Sequence, residues 1–553
     1  MFFGEKGESL ESLLSGIDRI TLCNVCLSIL YHPKAYSYGI RFIENFFGSN
    51  HSKFSNFVVE RFLLFAKNNN DLNPSQLSFV TELTMLSLLR LAFSLPPQCL
   101  TVSQEVLEEK IFRAILVVNE NILPDSEPNI NNDTSIDEFA IYIATSLLPY
   151  ADLVFNKSEE RILTQTVKAG SFFKFCCEDT TYNALLQDFL RDNNFESWKS
   201  YLKCFLELSL YCVKEPDHNG KVIVQSKKHN PDLNPNTLSN FSFSVDSIIP
   251  LNDNLDFKYF REHPLIRITD ERYMIISPVF CANKLYDNLK FAFREINDRK
   301  NPKPVKDIFG DYSARFSEPH LFYTTIENIF LHKNYVKLSG KRCREISTED
   351  GEPDYYVRNG NKIFLFEYKD SLFNGECKTS YDTNKVSEYL TQKLINKSPR
   401  SSAIEQLLNN IVRIAEGNFV WDTGFKSCNA RITPILVVDN DIFTTQGISH
   451  FLDVKLQSEI KLKNIYIHVD DLILVSNDTL LKYQFHFQSK RLDFCCVISD
   501  YLKYSRLNNS QDKIILNFLG MQNECYSFDD FLNQTYKLDG CPQMKNLLCD
   551  ILQ

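Results

Sequence analysis

Between Gly351 and Asp370 the chain reads GEPDYYVRNGNKIFLFEYKD. Three of its side chains, Asp354, Glu367 and Lys369, are of the types that hold a divalent cation and activate a water. Mg²⁺ takes hard oxygen ligands, commonly one or two carboxylates, with waters and substrate phosphate completing the shell. Such an ion polarises a phosphoryl group and lowers the pKa of a bound water. A lysine beside it orients or helps deprotonate that water and offsets transition-state charge.

The spacing predicts how these groups are delivered. Asn359-Gly360 is a favoured two-residue hairpin loop of type I′. Closing the hairpin there pairs Arg358 with Asn361, sets Asp354 opposite Leu365 and sets Glu352 opposite Glu367. Because alternate residues share a sheet face, Asp354, Glu367 and Lys369 fall on one face. Asp354 and Glu367 are then diagonal neighbours, roughly 7–8 Å apart, and Glu352 becomes a further acidic candidate. The run Ile363-Phe364-Leu365-Phe366 reads as a buried central strand, and ending it in charged groups costs free energy unless they are paired or bind metal. The plainer alternative is a surface strand ending in an ordinary Glu-Lys pair.

Pro353-Asp354 followed by Glu367-Tyr368-Lys369 resembles the signature of the PD-(D/E)xK, or restriction-endonuclease-like, nuclease superfamily. The resemblance covers roughly 310–440. It implies a preceding helix that often supplies a further acid. FSEPHLFYTTIENIFLHKNY fills that place, offering Glu318 in preference to Glu327. It also implies a following helix that presents a Gln or basic residue. SSAIEQLLNNIVRIAE fills that place, with Ser401 or Ser402 as N-cap and Gln406 as the residue carried over. ARITPILVVDN supplies the next strand. Metal ligands implied in this way are Asp354, Glu367 and Glu318, to which the hairpin register adds Glu352, with Mg²⁺ or Mn²⁺ as the ion. Catalytic roles fall to Asp354, Glu367, Lys369, Gln406 and Glu318. The polar stretch 371–399 is longer than a minimal connection and reads as a mobile flap. Lys333, Lys337, Lys341, Arg342 and Arg344 flank the first strand, where a phosphate backbone would run. Lys393, Lys397 and Arg400 precede the Gln406 helix.

A length of 553 residues implies two to four domains. Residues 1–214 carry apolar residues at helical spacing around 8–31, 54–68, 76–94, 103–119, 136–150 and 182–213. They read as a helical recognition or regulatory domain. Residues 215–245, rich in Asn, Pro, Ser and Lys, read as a linker. Residues 246–304 read as a middle α+β module, with a hairpin turning at Asp270-Glu271 and a helix over 279–296. The nuclease core is expected at 305–475, and 476–553 as an extension completing that core or forming an interface. The expected class is multidomain α plus α/β: a helical N-terminal domain, then a restriction-endonuclease-like mixed sheet flanked by helices.

Composition narrows the partners. A net charge of −10 argues against a surface coated for non-specific nucleic-acid binding, while leaving room for a local basic groove. Sixteen scattered cysteines read as reduced thiols of a cytoplasmic protein. Cys23-x-x-Cys26 has no second pair at zinc distance and lies in a helical pattern. Neither a signal peptide nor an 18-residue apolar run is evident, so no membrane partner is expected. The resulting expectation is a metal-dependent endonuclease acting on DNA in preference to RNA, resembling a prokaryotic defence or restriction component. A homo-oligomer is expected, together with a protein partner for the N-terminal domain. The alternatives are an RNase on the same core, or a non-catalytic nucleic-acid-binding scaffold that keeps the fold.

Overall fold

The computed structural model describes residues 8–32, 39–48, 51–68, 78–122, 135–153, 158–213, 222–226, 233–251, 255–396, 402–505, 527–536 and 542–552. Lys397, Arg400 and Ser401 lie outside these ranges. The chain divides into two compact units. The first comprises 1–127, 153–166 and 185–293, and the second 128–152, 167–184 and 294–553. Among the described residues no helix is long and apolar enough to cross a membrane.

The first unit combines helices with a four-stranded sheet. Its helices include Arg19–Tyr31, Glu82–Ser94 and Gln104–Ile122. Aromatic side chains knit several of them together, with Phe42 packing on Phe46, Phe79 and Phe112. The sheet runs β1 (Ile223–Gln225), β4 (Arg272–Ile275), β3 (Leu265–Thr269), β2 (Ser242–Ser244). The β3–β4 hairpin turns at Asp270-Glu271, as its sequence predicts. The stretch read as a linker thus supplies β1 and β2. Each is three residues long with one buried side chain, a signal that composition hides and that pairing with a distant strand creates. The helix expected over 279–296 is two, Pro278–Leu285 and Leu289–Arg299. Cys23 and Cys26 are fully buried free thiols. Burial pushes both thiol pKa values up, Cys26 to about 12, as suits packing and not metal or redox chemistry.

The second unit is built on a six-stranded mixed sheet ordered β10 (Ile473–Ser476), β8 (Arg431–Val438), β7 (Lys362–Lys369), β6 (Tyr355–Asn359), β5 (Val336–Ser339), with β9 (His468–Val469) also pairing β8. β5, β6 and β7 are antiparallel neighbours, whereas β7, β8 and β10 run parallel. Side chains of β7 alternate between two cores. Ile363 and Leu365 join one with the helices Thr383–Leu390, Ala403–Glu416 and Ile448–Leu462. Phe364, Phe366 and Tyr368 join the other with Tyr323–Ile329, Asn477–Gln488 and Phe494–Ser505. The sheet is therefore the middle of three layers, and each large side chain it buries is worth about 1.5–3 kcal/mol. Residues beyond 476 complete the second core through Leu480, Tyr483, Val497, Ile498, Phe528 and Leu532. Pro434 sits in central strand β8 at the gap between its pairing with β9, which ends at Ile432, and with β10, which begins at Ile435. Its missing N–H is tolerated there.

The expected flap at 371–399 is instead mostly helical and packed. Phe373, Cys377, Val386, Leu390 and Leu394 are core residues, and Lys378 is buried on Asp152, 3.1 Å away. Its polar composition concealed an apolar spacing of one helical face.

The sequence periodicity also misses the helix Ser158–Glu178, because buried Thr164, Gln165, Thr166 and Lys168 interrupt its apolar pattern. Lys168, fully enclosed, reaches Asp439 at 2.9 Å and Asp478 at 2.7 Å. Removing one partner of a buried ion pair leaves charge uncompensated. Lys168→Ala is therefore expected to lower stability by ~3 kcal/mol, a figure typical of broken buried pairs. Urea denaturation checks this, and a loss below about 1 kcal/mol would reduce the pair to the standing of a surface contact.

Candidate functional site

The hairpin that positions the site closes one residue later than its sequence suggests. Asn359 pairs with Lys362 and Tyr355 with Phe366, so the loop is Gly360-Asn361. Gly360 takes φ +59°, the left-handed conformation that glycine adopts without steric cost. Continuing this register one step past Tyr355 sets Asp354 directly opposite Glu367, not diagonal to it. The pairing changes by two residues, an even number, so the shared face survives. Glu352 is correspondingly displaced from Glu367, and its carboxylate is ion-paired with Arg344.

Four side chains meet at the C-terminal end of β7. The Tyr368 backbone N–H donates to Asp354 Oδ2 at 2.7 Å. Lys369 Nζ donates to Glu367 Oε1 at 3.0 Å and to Gln406 Oε1 at 2.9 Å. Gln406 lies on the Ala403–Glu416 helix, capped by the Ser402 side chain on the Glu405 N–H. That helix covers the face to which Glu367 and Lys369 point. Glu367 is 1% exposed, and the Lys369 side chain 26%, so the lysine forms the solvent-side edge of a buried carboxylate.

Electrostatics reflects this crowding. Burial, then neighbouring Glu318, raises the Asp354 pKa to about 6 against the partial relief from Lys369. Burial and Asp354 together hold Glu367 well above the carboxylate range. Burial works against the Lys369 charge, but Glu367 and Asp354 outweigh it and the amine pKa is raised. Lys369 is therefore a cation at neutral pH, suited to holding charge and orienting a water and not to accepting a proton.

Glu318 approaches from a helical stretch, Ser313–Phe322, whose wide turns include Pro319 and a Tyr323 N–H to Glu318 carbonyl bond. Such i→i+5 turns are often found at functional sites. The Tyr323 hydroxyl donates to the Glu318 carboxylate. Tyr323 itself and Arg344 are site neighbours that a motif match does not reveal, because both depend on how distant elements fold against Asp354. The remaining alternative for the extra acid, Glu327, is exposed and registers electrostatically on Tyr355.

The predicted phosphate-binding cations are largely engaged within the protein. Lys333 pairs with Asp493 at 2.9 Å, and Lys337 donates to the Phe330 and Lys333 carbonyls. Arg342 pairs with Glu345 at 2.5 Å and Arg344 with Glu352. Lys341 is exposed, as is Lys393. Local acids and carbonyls that sequence alone cannot place take up the charge.

Among the described residues no group of three or more His, Cys, Asp or Glu is gathered as a metal cage. The donors present are two carboxylates side by side, a set that suits Mg²⁺, which keeps several waters, better than a softer or fully protein-coordinated ion. Comparison with known protein families, curated proteins and solved structures found no match for this chain.

Proposed function

We propose that the chain is a Mg²⁺-dependent nuclease hydrolysing DNA phosphodiester bonds, on a restriction-endonuclease-like core within the second unit. The observation that carries this reading is the meeting of Asp354, Glu367, Lys369 and Gln406 at one strand end. Two adjacent carboxylates there are held with raised pKa values, so a cation would relieve a repulsion already built into the fold. Perturbed groups of this kind cluster at functional sites.

Asp354 and Glu367 would hold the ion, with Glu318 flanking them. The bound ion supplies phosphoryl polarisation and a more acidic water. Lys369, kept charged by Glu367 and Asp354, steadies the negative charge that develops on the phosphorane oxygens and orients the attacking water. Gln406 uses its carbonyl oxygen on Lys369, which fixes the amine's direction and leaves the amide N–H₂ to donate to water or phosphate.

Plasmid DNA and single-stranded RNA incubated in parallel with Mg²⁺, Mn²⁺ or chelator test the reading. DNA cleavage is expected with metal and none with chelator, and the metal concentration required should rise as pH falls below about 6, where a proton competes with the ion for Asp354. Cleavage of neither nucleic acid under any of these conditions would remove the enzyme reading. Cleavage of RNA alone would keep the site and overturn the substrate.

A further inference from the structure

The far end of the same strands holds a cavity of about 180 Å³. Lys362 and Phe364 line it near the start of β7, so at ~3.3 Å per residue the cavity lies roughly 10–17 Å along the strand from Glu367. Its floor is apolar, made by the buried side chains Phe364, Ile498 and Leu502. Its rim is cationic: Lys362, Arg431 and Lys503 come from three separate elements, and all three are exposed. Lys503 also lies 3.5 Å from Asp500, so Lys362 and Arg431 supply most of the positive charge that faces the one lining carboxylate, Asp470, and cations gathered at a cleft concentrate anions locally.

Between rim and floor lies an ordered polar wall. The Thr433 hydroxyl donates to Asp470 Oδ2 at 2.8 Å. His468 Nε2 lies 2.9 Å from Asp470 Oδ1 and 3.4 Å from Arg431 Nη2. A protonated Nε2 donates to Asp470 in the shorter of these contacts and then cannot also accept from Arg431, so the imidazole orients the carboxylate and leaves the arginine head to the rim. An apolar floor alone would suit a hydrocarbon, and a cationic rim alone would suit a free anion. The combination selects a flat ring joined to an anion, with a polar edge for the carboxylate to read.

We propose that this cavity binds a nucleoside monophosphate. The base lies against Phe364, Ile498 and Leu502. Asp470 accepts hydrogen bonds from sugar hydroxyls or a ring amine. The phosphate sits at the rim between Lys362, Arg431 and Lys503, where charge-assisted bonds are strongest. This site is independent of the metal-dependent reading, since none of its residues belongs to the carboxylate cluster.

Isothermal titration of the full chain in chelator and low salt, with adenosine 5′-monophosphate and with inorganic phosphate, tests it. The nucleotide is expected to bind with a Kd between ~10 μM and ~1 mM, about tenfold tighter than phosphate. Lys362→Gln/Arg431→Gln, two exposed positions whose variant should melt like wild type, is expected to weaken nucleotide binding at least about tenfold. Asp354→Asn is expected to leave it unchanged. Absence of nucleotide binding below ~5 mM would overturn the proposal. So would equal affinity for phosphate, undiminished binding by the folded double variant, or loss of binding in Asp354→Asn alone.

Discussion

Asp354→Asn is expected to abolish metal-dependent cleavage, by about 10³-fold or more, while making the fold more stable at neutral pH. The two effects share one cause. In the folded protein, burial and Glu318 raise the Asp354 pKa to about 6, against a usual value of 3.8. Between those values the folded state binds more protons than the unfolded chain, so stability falls as pH rises across that window. The contribution is fully present below pH 3.8 and is lost once pH passes 6. Asparagine carries no charge to desolvate, and its side-chain oxygen still accepts from the Tyr368 N–H. The gain at pH 7.5 should be on the order of 2 kcal/mol, from a shift of about two pKa units at 1.36 kcal/mol each with an allowance for partial exposure. Thermal melts of both proteins from pH 4 to 8 should converge at the acid end and separate above pH 6. Parallel curves would show that the Asp354 charge carries no folding cost, and an active variant would remove it from the chemistry.

Lys369→Ala should be equally inactive, with the opposite sign in stability. Glu367, 1% exposed, loses the amine that lies 3.0 Å away. Breaking a buried pair at one partner costs ~3–5 kcal/mol, reduced here because the lysine is partly solvated, so about 2–4 kcal/mol is expected. Glu367 already has a raised pKa. Acid therefore protonates it readily and removes the uncompensated charge, so the deficit should shrink from pH 8 to pH 5. Adding Glu367→Gln should restore most of the stability and none of the activity. Denaturant unfolding at the two pH values reads the first effect, and the double variant reads the second. A solvated Glu-Lys pair at a surface strand would predict less than about 1 kcal/mol at either pH. The two variants, both inactive and shifted in opposite directions, separate a strained functional site from a structural ion pair.

Asp354, Glu367 and Lys369 were legible as a group because a strand's two-residue period is read directly from sequence. Their common face did not depend on the turn being placed correctly: the true register differs by an even step and preserves parity. The same error did mislead about Glu352, since a claim about the directly opposed residue needs the register itself. Local steric preference marks Asn359-Gly360 as a turn, while packing of Ile363 and Leu365 against one core and of Phe364 and Phe366 against the other sets the faces and is the same in either register.

By itself the sequence determined the elements whose side-chain period carries their burial: the β7 run, the Ala403–Glu416 helix with Gln406, and the Asp270-Glu271 hairpin. The tertiary structure alone decided which polar groups are buried and paired. Lys168 on Asp439 and Asp478, Lys378 on Asp152, and the engagement of Lys333, Arg342 and Arg344 by local acids all depend on where partners arrive in space. Apolar burial is set mainly by a residue's own type and spacing. The free energy of a buried charge is set by its neighbours, which a one-dimensional pattern does not contain.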